Sequence, residues 1–285
     1  MEAEKTSLIS AEYDQTKMRI TILANQDIAS NYAINMLLPL FAEHEISLFL
    51  SSAVGSANKK PDPLLTLKAL EQELFNETLS KSLDNEHKHK ARYLSFQGLS
   101  KQLCSPISML NNINDPEGIE KLRQTNPDLI VCIRYGLILK EAAISIPRFG
   151  VINLHSGLLP NYRGVMATFW AMLNDDEIIG CTLHYIDNSQ IDTGRTIATT
   201  ALNVDTKRSY LWHVLMLYEQ GIIEIAKTVK NITDEEPIKC AIQKAGGSYC
   251  TFPTTQDLQK FDSKGLVLVD EPEIFEFFNS RYLLP

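Results

Sequence analysis

The run Leu129-Ile130-Val131-Cys132-Ile133 constrains this chain most. Five consecutive apolar residues without polar alternation suit a central parallel strand buried on both faces. The order of segments upstream agrees. Met18–Ala24 reads as a first strand, Ile28–Phe41 as a partly buried helix and Ile46–Leu50 as a second strand. That β-α-β order predicts parallel strands joined by helical crossovers. Lys59-Lys60-Pro61-Asp62-Pro63 breaks regular structure, and Leu64–Leu83 then has helical spacing through Leu67, Leu70, Leu74 and Leu79. Ile107–Leu110 reads as another strand. Asp115-Pro116-Glu117 combines a cap, a proline and an early acid, and predicts a helix to about Thr125. The expected class is α/β, a mostly parallel sheet with helices on both faces.

Beyond Ile133, the sequence predicts strands over Val151–His155, Gly180–Ile186 and Arg195–Thr200. Helices are expected over Lys140–Ile144 and Val165–Leu173, and over Thr206–Val229, where Leu211, Leu215, Ile222 and Ile225 form one stripe. Met1–Lys17 reads as a polar lead-in and Asp84–Lys90 as a charged surface loop. The tail from Thr233 is less regular.

Composition narrows the partner. The chain has 285 residues and a formal net charge of -8. Broad contact with nucleic-acid phosphates needs a Lys/Arg surplus, so a small metabolite fits better. The five cysteines include no C-x-x-C pair, which argues against a structural zinc site and fits reduced thiols in a cytoplasm. No apolar run is long enough to cross a bilayer, and the charged Met1–Lys17 lacks a secretory h-region.

The chemistry concentrates in Val151–Arg163. An apolar run ends in Asn153 and His155, two residues apart and hence on one face of a strand. An amide and an imidazole aimed at one spot suit an oxygen that gains negative charge. Asp192, in Asp192-Thr193-Gly194, supplies a carboxylate that could orient and charge the imidazole. Asp-Thr-Gly alone is also ordinary turn chemistry. A paired-carboxylate protease would need a second such string, and none is present.

Asn153-Leu154-His155, Leu158-Leu159-Pro160, Arg163-Gly164 and Asp192-Thr193-Gly194 together resemble the folate-dependent formyltransferases. Those carry Asn-x-His, Ser-Leu-Leu-Pro, a basic-Gly pair and Asp-x-Gly. The likeness covers roughly Met18–Ala201. It departs in two places: Ser156-Gly157 displaces the usual hydroxyl by one position, and the connection Asp187–Ile191 is one residue longer, which leaves Asp187 as a second candidate for the acid.

The resemblance implies a Rossmann-like formyltransferase fold. It divides the chain into the lead-in 1–17, a catalytic domain 18–205, and a helix with a small α+β lobe over 206–285. It implies N10-formyltetrahydrofolate as formyl donor and no metal. It implies Asn153, His155 and Asp192 as catalytic residues. Backbone groups of Tyr135, Gly136, Leu137, Ile138 and Leu139 would bind the pterin, and Tyr162 and Arg163 the acceptor. Arg163 reads equally as a fork for a phosphate or as a surface arginine beside a carboxylate.

From Lys207 onward there are nine Lys+Arg and eleven Asp+Glu, the wrong balance for a tRNA-binding domain. A nucleotide-linked amino sugar is therefore the expected acceptor. A methionyl-tRNA formyltransferase-like enzyme and a non-catalytic folate-binding relative are the alternatives. The helix over Thr206–Val229 could serve a lobe contact or a homodimer. His184 reads as structural, His87 and His89 as solvated, and Phe169 and Trp170 as core. Tyr249 and Phe252 read as core or as a stacking platform.

Overall fold

A computed structural model describes residues 17–52, 60–84 and 91–284. The lead-in up to residue 16, and the segment 85–90 with His87 and His89, lie outside the described residues. Seven strands form one sheet: β1 (Arg19–Asn25), β2 (Glu45–Ser51), β3 (Ser108–Met109), β4 (Leu129–Ile133), β5 (Val151–His155), β7 (Ile178–Tyr185) and β8 (Thr196–Asn203). Their order is β3-β2-β1-β4-β5-β7-β8. The first five run parallel, and β7 and β8 are antiparallel. A separate pair joins β6 (Tyr162–Gly164) in parallel to β9 (Ser248–Cys250).

The apolar pentapeptide is β4, and its alternation explains the two-sided burial. Leu129, Val131 and Ile133 enter the larger core, whereas Ile130 and Cys132 enter the smaller one on the opposite face. β5 divides likewise, with Ile152 and Leu154 on one side and Val151 on the other. The helix Ile28–Leu37 begins where Asp27 accepts the Ser30 amide at 2.7 Å. The helix Pro116–Gln124 starts behind Asp115 with its proline in the first turn, where a missing N–H costs nothing.

The helical run expected from Leu64 is present but not uniform. It is α-helical over Asp62–Lys68 and Ser80–Leu83, with π-helical turns over Ala69–Glu73 and Phe75–Leu79. The tail contains two helices that the sequence reading left irregular, Thr255–Ser263 and Glu271–Tyr282. Phe261 stacks on Phe169 at 4.5 Å between centroids, and the Tyr282 hydroxyl donates to Asn31 at 2.9 Å. The segment expected as a small lobe thus packs into the same core as the sheet, joined to it by the buried face of the helix Tyr210–Thr233. No helix among the described residues is long and apolar enough to cross a membrane.

Candidate active site

The C-terminal ends of β1, β4 and β5 open onto a cavity of about 760 Å³. Open α/β sheets bind ligands in this position, where strand order reverses beside β1. Asn153, His155 and Asp192 all line it.

The imidazole of His155 is held on both sides. Its Nε2 lies 2.7 Å from the Tyr162 carbonyl, and its Nδ1 lies 3.5 Å from Asp192 Oδ2. A carbonyl can only accept, so Nε2 carries the proton, and Nδ1 is the nitrogen left to take or give one. Gly157 packs against the ring. A Cβ there would come within 2.7 Å of His155 Nε2 and 2.4 Å of the Ala167 methyl. That explains the Ser156-Gly157 order: the second position has no room for a side chain.

Asp192 is the acid beside the imidazole. It adopts a left-handed backbone, φ 54°, which Asp tolerates better than most residues. Its Oδ2 accepts the Gly164 amide at 2.7 Å, and its Oδ1 lies 3.4 Å from His184 Nε2. Burial pushes this carboxyl upward, but the charge of His155, the His184 ring and the Gly164 N–H outweigh it and hold it at about 2. Asp187, the other candidate, is instead tied to Arg195 through the Arg195 amide at 2.9 Å and Nη2 at 2.8 Å.

His184 joins this group, although its place in an apolar alternation suggested a structural role. It pairs directly with Asn153 across β5 and β7, so both side chains leave the sheet on one face. Its Nδ1 lies 2.8 Å from the Tyr185 carbonyl and therefore carries a proton. Its Nε2 lies 3.1 Å from Asn153 Nδ2. Neutral His184 accepts one amide hydrogen there and leaves the second N–H of Asn153 for the cavity. Protonated, it would donate to Asp192 instead. The signal was long-range register, which no local string carries.

The remaining expected residues divide. Tyr135, Gly136, Leu137, Ile138 and Leu139 line the cavity. Gly136 donates to Ser51 Oγ at 3.0 Å, and the Ile138 carbonyl accepts from Asn114 at 2.8 Å. The backbone groups of Leu137 take no partner among the described residues. Unpaired amides lining a cavity suit a flat heterocycle with donors and acceptors on its edge.

Tyr162 and Arg163 do not line the cavity. Tyr162 acts on the site through its carbonyl, while its hydroxyl donates to Asp176 at 2.8 Å. Arg163 alternates to the other side of β6, and its Nε is buried without a hydrogen-bond partner among the described residues. Gly164 grips Asp192 through its N–H at φ 96°, where a Cβ would strike the Cys250 carbonyl at 2.2 Å. Tyr249 and Phe252 line the cavity beside Lys60, whose ammonium sits 4.1 Å from the Phe252 ring centroid.

A family profile described as "Formyl transferase" matches residues 78–211. That stretch, just under half of the chain, is similar to the formyltransferase family. It is 39% identical over 121 residues to methionyl-tRNA formyltransferase of Clostridioides difficile, a match covering 38% of this chain and 39% of that protein. A second such enzyme, from Clostridium novyi, is 34% identical over 47% of this chain and 43% of its own length. The chain thus spans about two fifths of these relatives where it matches them. Among solved structures, glycinamide ribonucleotide transformylase 1 of Symbiobacterium toebii superposes with a TM-score of 0.55 at 13% identity, over 80% of this chain and 95% of that one. An N-formyltransferase of Helicobacter canadensis, solved with folinic acid and dTDP-3-aminofucose, gives a TM-score of 0.53 at 14% identity, over 89% of this chain and 85% of that one. At such identities these likenesses establish the fold alone.

Proposed function

We propose that this protein is a formyltransferase that moves a formyl group from N10-formyltetrahydrofolate to the primary amine of a small acceptor, a nucleotide-linked amino sugar. The observation that carries the reading is the convergence of Asn153, His155 and Asp192 in one cavity, with His155 Nδ1 3.5 Å from the carboxylate. The cavity lies in the size range that holds a cofactor-sized ligand. The open backbone groups at Leu137 face it from the Tyr135–Leu139 loop. The fold likeness to the H. canadensis enzyme supports both ligands.

The formyl donor supplies an activated one-carbon unit whose oxygen becomes negative when an amine attacks. The second N–H of Asn153 and a protonated His155 Nδ1 are the donors for that oxygen. Asp192 stays ionised because its carboxyl is held at about 2. It can therefore steady the charged imidazole and take the amine's proton directly or through a water, while the Nδ1 proton of His155 passes to N10 as the carbon–N10 bond breaks and tetrahydrofolate leaves. Gly164 N–H and the Tyr162 carbonyl fix the two partners before any ligand arrives.

The sequence likeness to the C. difficile methionyl-tRNA formyltransferase favours a second reading, an aminoacyl-tRNA acceptor. The acidic balance after Lys207 weighs against it. Turnover of N10-formyltetrahydrofolate with dTDP-linked amino sugars, glycinamide ribonucleotide and methionyl-tRNA, followed by mass spectrometry of the products, decides between them. Formylation of the amino sugars supports the first reading. Formylation of methionyl-tRNA alone, with strongly salt-dependent binding, supports the second. Folate binding without transfer to any amine would leave only a binding protein.

A further inference from the structure

A second polar cluster faces the same cavity, away from His155. Arg134 closes β4 beside the end of β1 and bridges to Ala24. Its backbone is left-handed at φ 57°, a conformation that a long side chain adopts only when its surroundings impose it. Its Nε donates to Asp27 at 2.9 Å, and its Nη2 donates to Glu71. Asp27 is then saturated, because it also accepts the Ser30 amide and the Asn25 side chain at 2.7 Å each.

Glu71 is not saturated. It lies in the π-helical turn Ala69–Glu73 and is 7% exposed, and its second oxygen takes no hydrogen bond among the described residues. Wide turns of this kind re-aim side chains and recur at functional positions. Tyr218, from the helix Tyr210–Thr233, is fully buried, lines the cavity and carries its hydroxyl on the guanidinium side. Its hydroxyl nevertheless reaches no partner at hydrogen-bond distance among the described residues. A buried hydroxyl left unpaired is costly unless a ligand completes it, and the second oxygen of Glu71 stands open to the cavity. Neither group has a part in the chemistry at His155.

We infer that Glu71 and Tyr218, on a scaffold fixed by Arg134 and Asp27, form an acceptor subsite that takes the hydroxylated body of an amine. The assignment rests on the formyl-transfer reading and adds what the acceptor looks like. Two carboxylates against one guanidinium leave this wall with one excess negative charge, so it repels a phosphate or carboxylate and accepts hydrogen bonds from hydroxyls. The acceptor's anionic end therefore points away, toward Lys60 and Lys68, which line the same cavity. An amino sugar carried on a nucleotide has that division; a free amino acid, with its carboxylate beside the amine, does not.

Calorimetric titration of the full chain tests this with folinic acid, dTDP, dTDP-3-aminofucose and methionine as probes. Glu71→Gln and Tyr218→Phe should each weaken dTDP-3-aminofucose by roughly tenfold, one lost hydrogen bond apiece. Folinic acid and dTDP should bind both variants as they bind the parent. Tyr218→Phe should melt within a degree or two of the parent, because the hydroxyl has no partner at hydrogen-bond distance among the described residues. Unchanged dTDP-3-aminofucose affinity in both variants, or a parent chain that binds methionine but not the amino sugar, overturns the assignment. A parent chain that fails to bind folinic acid strikes the formyl-transfer reading itself.

Discussion

The two ends of the cavity are built by different rules. At the β5–β7 end, Asn153, His155, His184 and Asp192 hold one another, and backbone groups of Tyr162, Gly164 and Tyr185 clamp them. At the β1–β4 end, Asp27 and Arg134 are locked together, yet Glu71 and Tyr218 keep open valences. A network satisfied internally suits chemistry, which needs fixed donors. Open buried valences suit recognition, which needs a ligand to complete them. The contrast breaks if the closed end tolerates substitution.

The largest effect is expected at His155. His155→Ala removes a donor to the charged oxygen and should cost about a thousandfold in turnover, some 3–4 kcal/mol of barrier, while folinic acid still binds. Steady-state rates and titration on one preparation check both halves. Asp192→Asn should follow at roughly a hundredfold, as a proton acceptor is lost. It also has a signature in stability. The Asp192 carboxyl is held at about 2, below its ordinary 3.8, so it contributes stability above pH 4 that is lost as pH falls toward 2. That contribution is about 2 kcal/mol, and denaturant titrations from pH 6 to pH 2 should show it in the parent chain and not in Asp192→Asn.

Smaller effects sharpen the picture of the clamp. His184→Ala removes the acceptor that orients Asn153 and should lower kcat roughly tenfold, about 1.4 kcal/mol, with little change in folate affinity. Gly157→Ala forces a methyl against His155 and Ala167 and should cost about 1–3 kcal/mol of stability by thermal unfolding, along with a measurable part of kcat. Tyr162→Phe removes the hydroxyl's bonds to Asp176 and from Asn174, so it should lose about 1–2 kcal/mol of stability and leave turnover unaltered. A large drop in turnover there would mean that the Tyr162 side chain, and not its carbonyl, serves the site.

The same contrast governs what could be read from the chain. Asn153 and His155 are two apart on one strand, and Asp192 sits in a recognisable string, so their meeting at the β5–β7 end was legible from local spacing. So were β4 and the helix behind Asp115, because continuous burial and a proline in the first turn each leave local marks. His184 was read as structural because only its pairing with Asn153 gives it a second meaning. Asp27, Glu71, Arg134 and Tyr218 come from four separate elements, and no spacing connects them. The tail helices were overlooked for a related reason. Their buried residues, Leu258 with Phe261 and Ile274 with Phe277, make stripes too short to show a period. Their starts did leave signals, in Thr254 capping with Asp257 and in Asp270 before Glu271-Pro272.

The most direct test is a crystal structure of the chain with folinic acid and dTDP-3-aminofucose bound. The formyl oxygen should lie about 3 Å from both Asn153 Nδ2 and His155 Nδ1, with the pterin against Leu137 and the amine on the Asp192 side. A formyl group bound elsewhere in the cavity, beyond reach of those two nitrogens, would contradict the account.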